Sequence, residues 1–184
     1  MSSCTSTSCS SPRPEHTPAG YRLRTYREGD APALAAITAA AIEAVGRRRY
    51  SPEQVAAWAA RHPGPERFVE RIAQGHLIWI IANARDEPVA YALLEPETED
   101  GGHLDMLYCH PAHTRNGLAD RLLSQAEQHA RGLNLARLYT EASDLARPAF
   151  ERAGYRVTHR RDFAIEHAGK RVPIHNHAME KVLA

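Results

Sequence analysis

The stretch from Cys109 to Leu123 constrains this chain more than any other. Residues 103–109 read as a strand, and Pro111 stops it. A short polar loop follows, and then Leu118, Leu122, Leu123 and Ala126 recur at helical spacing. Gly117 and Ala119 stand two apart at that junction. A strand, a loop of tiny residues and a helix start together make an anion site. The first-turn N–H groups have no partner inside the helix, and the helix dipole favours negative charge there. A glycine lets a phosphate approach the backbone, and Arg115 adds a cation with fork geometry. The expectation is a phosphorylated ligand held at residues 114–120.

Two common phosphate binders do not fit. A P-loop needs Gly-x-x-x-x-Gly-Lys-Ser/Thr, and no such run occurs. A dinucleotide fingerprint needs Gly-x-Gly-x-x-Gly at the first strand–helix junction, whereas this loop lies past the middle of the chain and has one of those glycines. The residues instead resemble motif A of the GNAT acetyltransferase superfamily, Gln/Arg-x-x-Gly-x-Gly/Ala. Gly117 and Ala119 match it, and Thr114 stands where the pattern has Gln or Arg.

The resemblance extends along residues 20–184. Asp105-Met106-Leu107-Tyr108-Cys109-His110-Pro111 is similar to the superfamily's fourth strand, with Cys109 in a valine's place. The segment from Ser143 to Tyr155 is similar to its Asn-x-x-Ala-x-x-Phe-Tyr-Glu-x-x-Gly-Phe run. Tyr50 to Trp58 and the terminal Met179-Glu180-Lys181-Val182-Leu183 resemble the YafP-like branch. What this implies is an α+β fold with three layers. A mixed, mostly antiparallel central sheet would be flanked by helices, as in the acyl-CoA N-acyltransferase fold. It also implies acetyl-CoA as co-substrate and an amine as acceptor.

Composition agrees with that class. The chain has 184 residues, a net charge of +1, 43% hydrophobic and 24% charged residues, so one soluble domain is expected at residues 20–184. The charge balance implies no nucleic-acid partner. The longest apolar run, residues 77–82, is too short to cross a bilayer, so no membrane is expected. Three cysteines form no disulfide framework, which suits a reducing cytoplasm. Residues 1–19 are rich in Ser, Thr and Pro and read as a disordered tail. A monomer or homodimer is expected.

Periodicity and punctuation give the element order. A strand over 21–26 precedes a helix over 31–45, which Asp30 can cap. Ser51-Pro52-Glu53-Gln54 has capping-box spacing for a helix to about residue 60. A helix over 66–74 follows the Pro63-Gly64-Pro65 break. Strands at 77–82, 88–94 and 103–109, a helix over 117–131, a strand over 136–142 and a helix over 147–153 come next. Residues 155–166 and 172–182 read as a closing hairpin.

Acetyl transfer to an amine needs a proton acceptor, a polarised thioester carbonyl and a stabilised leaving group. Strand alternation places His103, Asp105, Leu107 and Cys109 on one face. His103 stands where many relatives carry a glutamate base, and an imidazole titrating near 6.5 can accept a proton. Asp105 can be the base itself or can orient His103. Glu141, near the end of the next strand, is a third candidate. Each also has a bland reading: His103 as an exposed strand start, and either acid bonded to backbone.

For the cofactor, the resemblance implies pairing of the Leu107 and Cys109 backbone with the pantetheine arm. It implies pyrophosphate contacts from Thr114, Arg115, Asn116, Gly117, Leu118, Ala119 and Asp120. Ser143 falls where relatives often have an asparagine on that arm, and it can equally cap the following helix. Phe150 occupies the slot of a tyrosine that donates to the thiolate in many relatives, and phenylalanine cannot donate. Backbone N–H groups, water or Tyr108 are then the alternatives. Trp58 either lines the acceptor pocket or, at the spacing of Val55, packs on the sheet, and the spacing favours packing. His175 and His177 alternate without a carboxylate at ligand spacing, and no metal is expected.

The reading is an N-acetyltransferase acting on a small-molecule or protein amine by direct attack in a ternary complex. The alternative, favoured by Phe150 and Thr114, is a non-catalytic acyl-CoA-binding or sensing module.

Overall fold

Strand β2 (Leu77–Ala82) is apolar throughout because both faces of the sheet are covered. Its Trp79 and Ile81 join one buried cluster, and its Ile78 and Ile80 join another on the opposite face. The computed structural model describes residues 20–62, 64–99 and 101–183. The expected tail at residues 1–19 lies outside them.

Among the described residues, seven strands form one sheet in the order β1-β2-β3-β4-β5-β7-β6. The others are β1 (Arg22–Thr25), β3 (Pro88–Leu94), β4 (Gly102–Cys109), β5 (Arg137–Ala142), β6 (Arg156–His167) and β7 (Lys170–Val182). Only β4 and β5 pair in parallel; every other neighbour is antiparallel. Helices α1 (Ala31–Gly46) and α3 (Glu66–Ala73) cover the face of Ile78 and Ile80, where Leu34, Ile37 and Phe68 are buried. Helix α4 (Leu118–Gly132) covers the other face with Leu118, Leu122, Leu123 and Ala126. Helix α2 (Pro52–Ala60) packs Val55 and Ala57 with Ile165, Val172 and Ile174 of the closing hairpin. Helix α5 (Arg147–Arg152) buries Phe150 in the cluster under α4. This is the three-layer arrangement expected from the sequence.

The Ser51 capping box forms: Ser51 Oγ accepts from Gln54 N–H and Gln54 Oε1 accepts from Ser51 N–H. Asp30 does not cap α1 with its side chain. A stronger partner takes that carboxylate, because Arg24 binds both its oxygens at 2.7 and 2.8 Å.

The main departure is in β4. Leu93 pairs with Met106, but the next residue, Leu94, pairs with Leu104. Asp105 is therefore the extra residue of a β-bulge, and the alternation of β4 breaks there. His103, Asp105, Leu107 and Cys109 do not share one face as expected. Leu107 and Cys109 pack against the α4-side cluster, whereas the Asp105 carboxylate turns to Arg67 and Arg71 of α3.

Candidate active site

β4 and β5 pair only at Gly102↔Leu138 and His103↔Tyr139. At the point where the ladder ends, Thr140 Oγ1 donates to Leu104 O at 2.7 Å. Beyond it the strands splay, and among the described residues β4 keeps only its β3 partner. Its other edge is a free row of backbone donors and acceptors. A cavity of about 590 Å³ opens along this gap.

One end of the cavity meets the junction between β4 and α4. Thr114 and Ala119 line it. Gly117 is the residue before α4, in the left-handed region at φ 69°, and no side chain caps the helix. Arg115 is also left-handed at φ 65°. The first-turn N–H groups therefore remain available to an anion. Nothing lies within 4 Å of where a Gly117 side chain would begin, so the space in front of it is open. The Asn116 amide donates to His113 O and Thr114 O, which holds the loop's shape. Leu118 is buried in the core and can offer only its backbone. Asp120 pairs with Arg152 at 3.3 Å. Cradle and free strand edge together fit the two demands of coenzyme A, a pyrophosphate and an extended amide-bearing arm.

Ser143 stands at the cavity, one turn ahead of α5, whose N-cap residue is Ala146. Its Oγ accepts from Ala146 N–H at 3.2 Å. Phe150 also lines the cavity, so the tyrosine slot carries no hydroxyl. The nearby Tyr155 touches the Phe150 ring edge-on, but it belongs to the core and is not among the cavity residues. Tyr108 does line the cavity, stacked on Tyr91 and edge-on to His62. Burial, then the charge of Asp105, raises its hydroxyl above the ordinary tyrosine range, so it stays protonated. Cys109 lines the cavity too, and burial pushes its thiol up to about 11.

The three catalytic candidates separate. His103 is not among the cavity residues. Its Nδ1 meets Glu95 Oε2 at 2.9 Å, its Nε2 meets Glu141 Oε2 at 2.7 Å, and its ring stacks on Tyr139. Burial opposes the charge, but the bonds to Glu141 and Glu95 outweigh it and raise the imidazole to about 9. At neutral pH His103 is a cation, so the expectation of a neutral imidazole base is corrected. Asp105 does not orient it either; Glu95 and Glu141 do.

Glu141 lines the cavity, but both its oxygens are engaged, one by His103 and the other by Arg161 at 3.0 Å. The hydrogen bond from His103 is the chief reason its carboxyl is held below the usual range. Asp105 lines the cavity and is held loosely. Its Oδ2 is buried without a hydrogen bond, 3.7 Å from Arg71 and 3.8 Å from Arg67.

Two site residues escaped the sequence reading. Glu95 lies just past β3, in a stretch without periodic signal. His62 lines the cavity and accepts from Arg67 at Nδ1, 3.2 Å away. Burial, then Arg67 and Arg61, lowers its imidazole to about 4, so it is neutral. Trp58 packs against the cluster that holds Val55, as favoured, and is also a wall of the cavity, edge-on to Tyr50.

Known proteins give the same picture. A family model described as an acetyltransferase (GNAT) domain matches residues 47–169. The chain belongs to the GNAT acetyltransferase family: it is an acyltransferase that uses acetyl-CoA as its acyl donor. Within that family it is 31% identical over 136 residues to the uncharacterized N-acetyltransferase YafP of Escherichia coli K12, covering 74% of this chain and 81% of that one. A GCN5-related N-acetyltransferase from Rhodopseudomonas palustris superposes with a TM-score of 0.76 at 31% identity, covering 92% of this chain and 99% of that one. The PaiA N-acetyltransferase of Thermoplasma acidophilum, solved with coenzyme A, shares the fold at a TM-score of 0.70 and 16% identity, over 88% of this chain and 98% of that one. Among the described residues no helix is long and apolar enough to cross a membrane.

Proposed function

We propose that this chain acetylates a primary amine by direct attack within a ternary complex, with Asp105 as the group that binds the amine and takes its proton. The carrying observation is the buried Asp105 Oδ2, which lines the cavity without a hydrogen bond. A buried carboxylate oxygen left unpaired costs about 1–3 kcal/mol or more, and an incoming ammonium repays that cost. The two arginines at 3.7 and 3.8 Å stand within ion-pair reach but outside hydrogen-bond distance, so the oxygen is not occupied by them.

When bound, acetyl-CoA supplies an activated acetyl thioester. The Gly117 loop and the first turn of α4 would hold its pyrophosphate, and the free β4 edge at Leu107 and Cys109 its arm. Cys109 is an unsuitable nucleophile, because a thiol raised to about 11 is scarcely ionised at neutral pH. That supports direct transfer over an acetylated-cysteine route. With Phe150 unable to donate, we take the protonated Tyr108, one of the hydroxyls on the cavity wall, as the donor to the thiolate.

The test is a panel of small amines, amino acids and peptide amino termini, with acetyl-CoA and a free-thiol readout. Amine-dependent thiol release supports the reading. Tight coenzyme A binding with no release above hydrolysis for any amine would favour a non-catalytic acyl-CoA-binding module.

A further inference from the structure

Spacing along the sequence gave His175 and His177 no carboxylate partner, but the fold supplies one. Alternation along β7 puts both imidazoles on one face, and Asp144, between β5 and α5, comes up against them. His175 Nε2 is 3.0 Å from Asp144 Oδ2, and His177 Nε2 is 2.8 Å from Asp144 Oδ1. The two rings stand perpendicular, each aiming the same nitrogen at one carboxylate. We propose that Asp144, His175 and His177 form a binding site for a divalent transition-metal ion of the zinc type, separate from the acetyl-transfer groups.

The donor set fits. Two imidazoles and one carboxylate, with a fourth position open, are the ligands of a three-residue zinc centre. All three ligating atoms lie within 4.8 Å of one another. Bonds of about 2.0–2.2 Å in a tetrahedron set ligand atoms about 3.4 Å apart, so the two histidine–carboxylate contacts need open by only about half an ångström. His177 is buried, while His175 lines the cavity, so water has access to the fourth position from that side. The scaffold is tied down as well. The Tyr50 hydroxyl accepts from Asp144 N–H at 2.9 Å and donates to His175 O at 3.5 Å, and Gln54 Nε2 donates to Pro173 O at 2.7 Å.

The test uses the full untagged chain carrying Cys4→Ser and Cys9→Ser, which removes thiol ligands outside the described residues, after treatment with a chelator. Zinc is titrated by calorimetry and cobalt(II) by its visible absorption. One equivalent is expected, with the cobalt spectrum of a four-coordinate nitrogen and oxygen site. Asp144→Asn, His175→Gln and His177→Gln should each weaken binding beyond the 10–100-fold typical of an outer-sphere partner, about 10²-fold or more, and His167→Gln should not. Should the ligand variants unfold, zinc must still raise the melting temperature of the parent chain. No stoichiometric binding, binding that survives all three substitutions, or an unmoved melting temperature would overturn the site and leave a hydrogen-bonded triad.

Discussion

His103 Nε2 lies 2.7 Å from Glu141 Oε2 across the base of the β4–β5 splay, and its other ring nitrogen is held by Glu95. This makes His103 a charged clamp between strands. Its imidazole, near 6.5 when unfolded and about 9 when folded, stabilises the native state fully below about pH 6.5. That contribution is lost as pH rises through about 9. His103→Gln should therefore cost about 1–3 kcal/mol near pH 6 and much less near pH 10. Denaturant unfolding of both proteins across that range checks it, and a pH-independent difference would remove the charge from the explanation.

Gly117→Glu should abolish coenzyme A binding. The residue sits at φ 69°, where a side chain is strained, and glutamate would put a negative charge in front of the uncapped helix start. Calorimetry on the folded variant reads it. Unchanged affinity would move the pyrophosphate elsewhere.

Tyr108→Phe should lower turnover by about 10²-fold with amine affinity largely kept, as expected for loss of a single donor. Phe150→Tyr in that background restores a hydroxyl at the cavity wall and should recover part of the rate. A Tyr108→Phe enzyme at full speed would leave backbone groups or water as the donors.

Much of this molecule could be read from its residues, and the gaps have physical causes. The strand–loop–helix junction was legible because Gly117, Ala119 and the start of helical periodicity are adjacent in sequence. The β-bulge was not, because Asp105 carries no glycine or proline signal and period-2 counting passes straight over it. That single extra residue separates Asp105 from the Leu107 and Cys109 face. The His103–Glu141 pair and the Asp144 cluster depend on contacts between segments far apart in the chain, which meet only once the sheet closes. Asp30 shows the same limit at short range, since Arg24 outcompetes the helix end.

The central claim is that Asp105, and not His103, takes the amine proton. With the best amine and acetyl-CoA both saturating, Asp105→Asn should lower turnover by about 10²–10⁴-fold while coenzyme A affinity stays near normal. His103→Gln should leave the acid limb of the rate profile in place. An Asp105→Asn enzyme with near-normal turnover, or an acid limb that moves with His103→Gln alone, would contradict it.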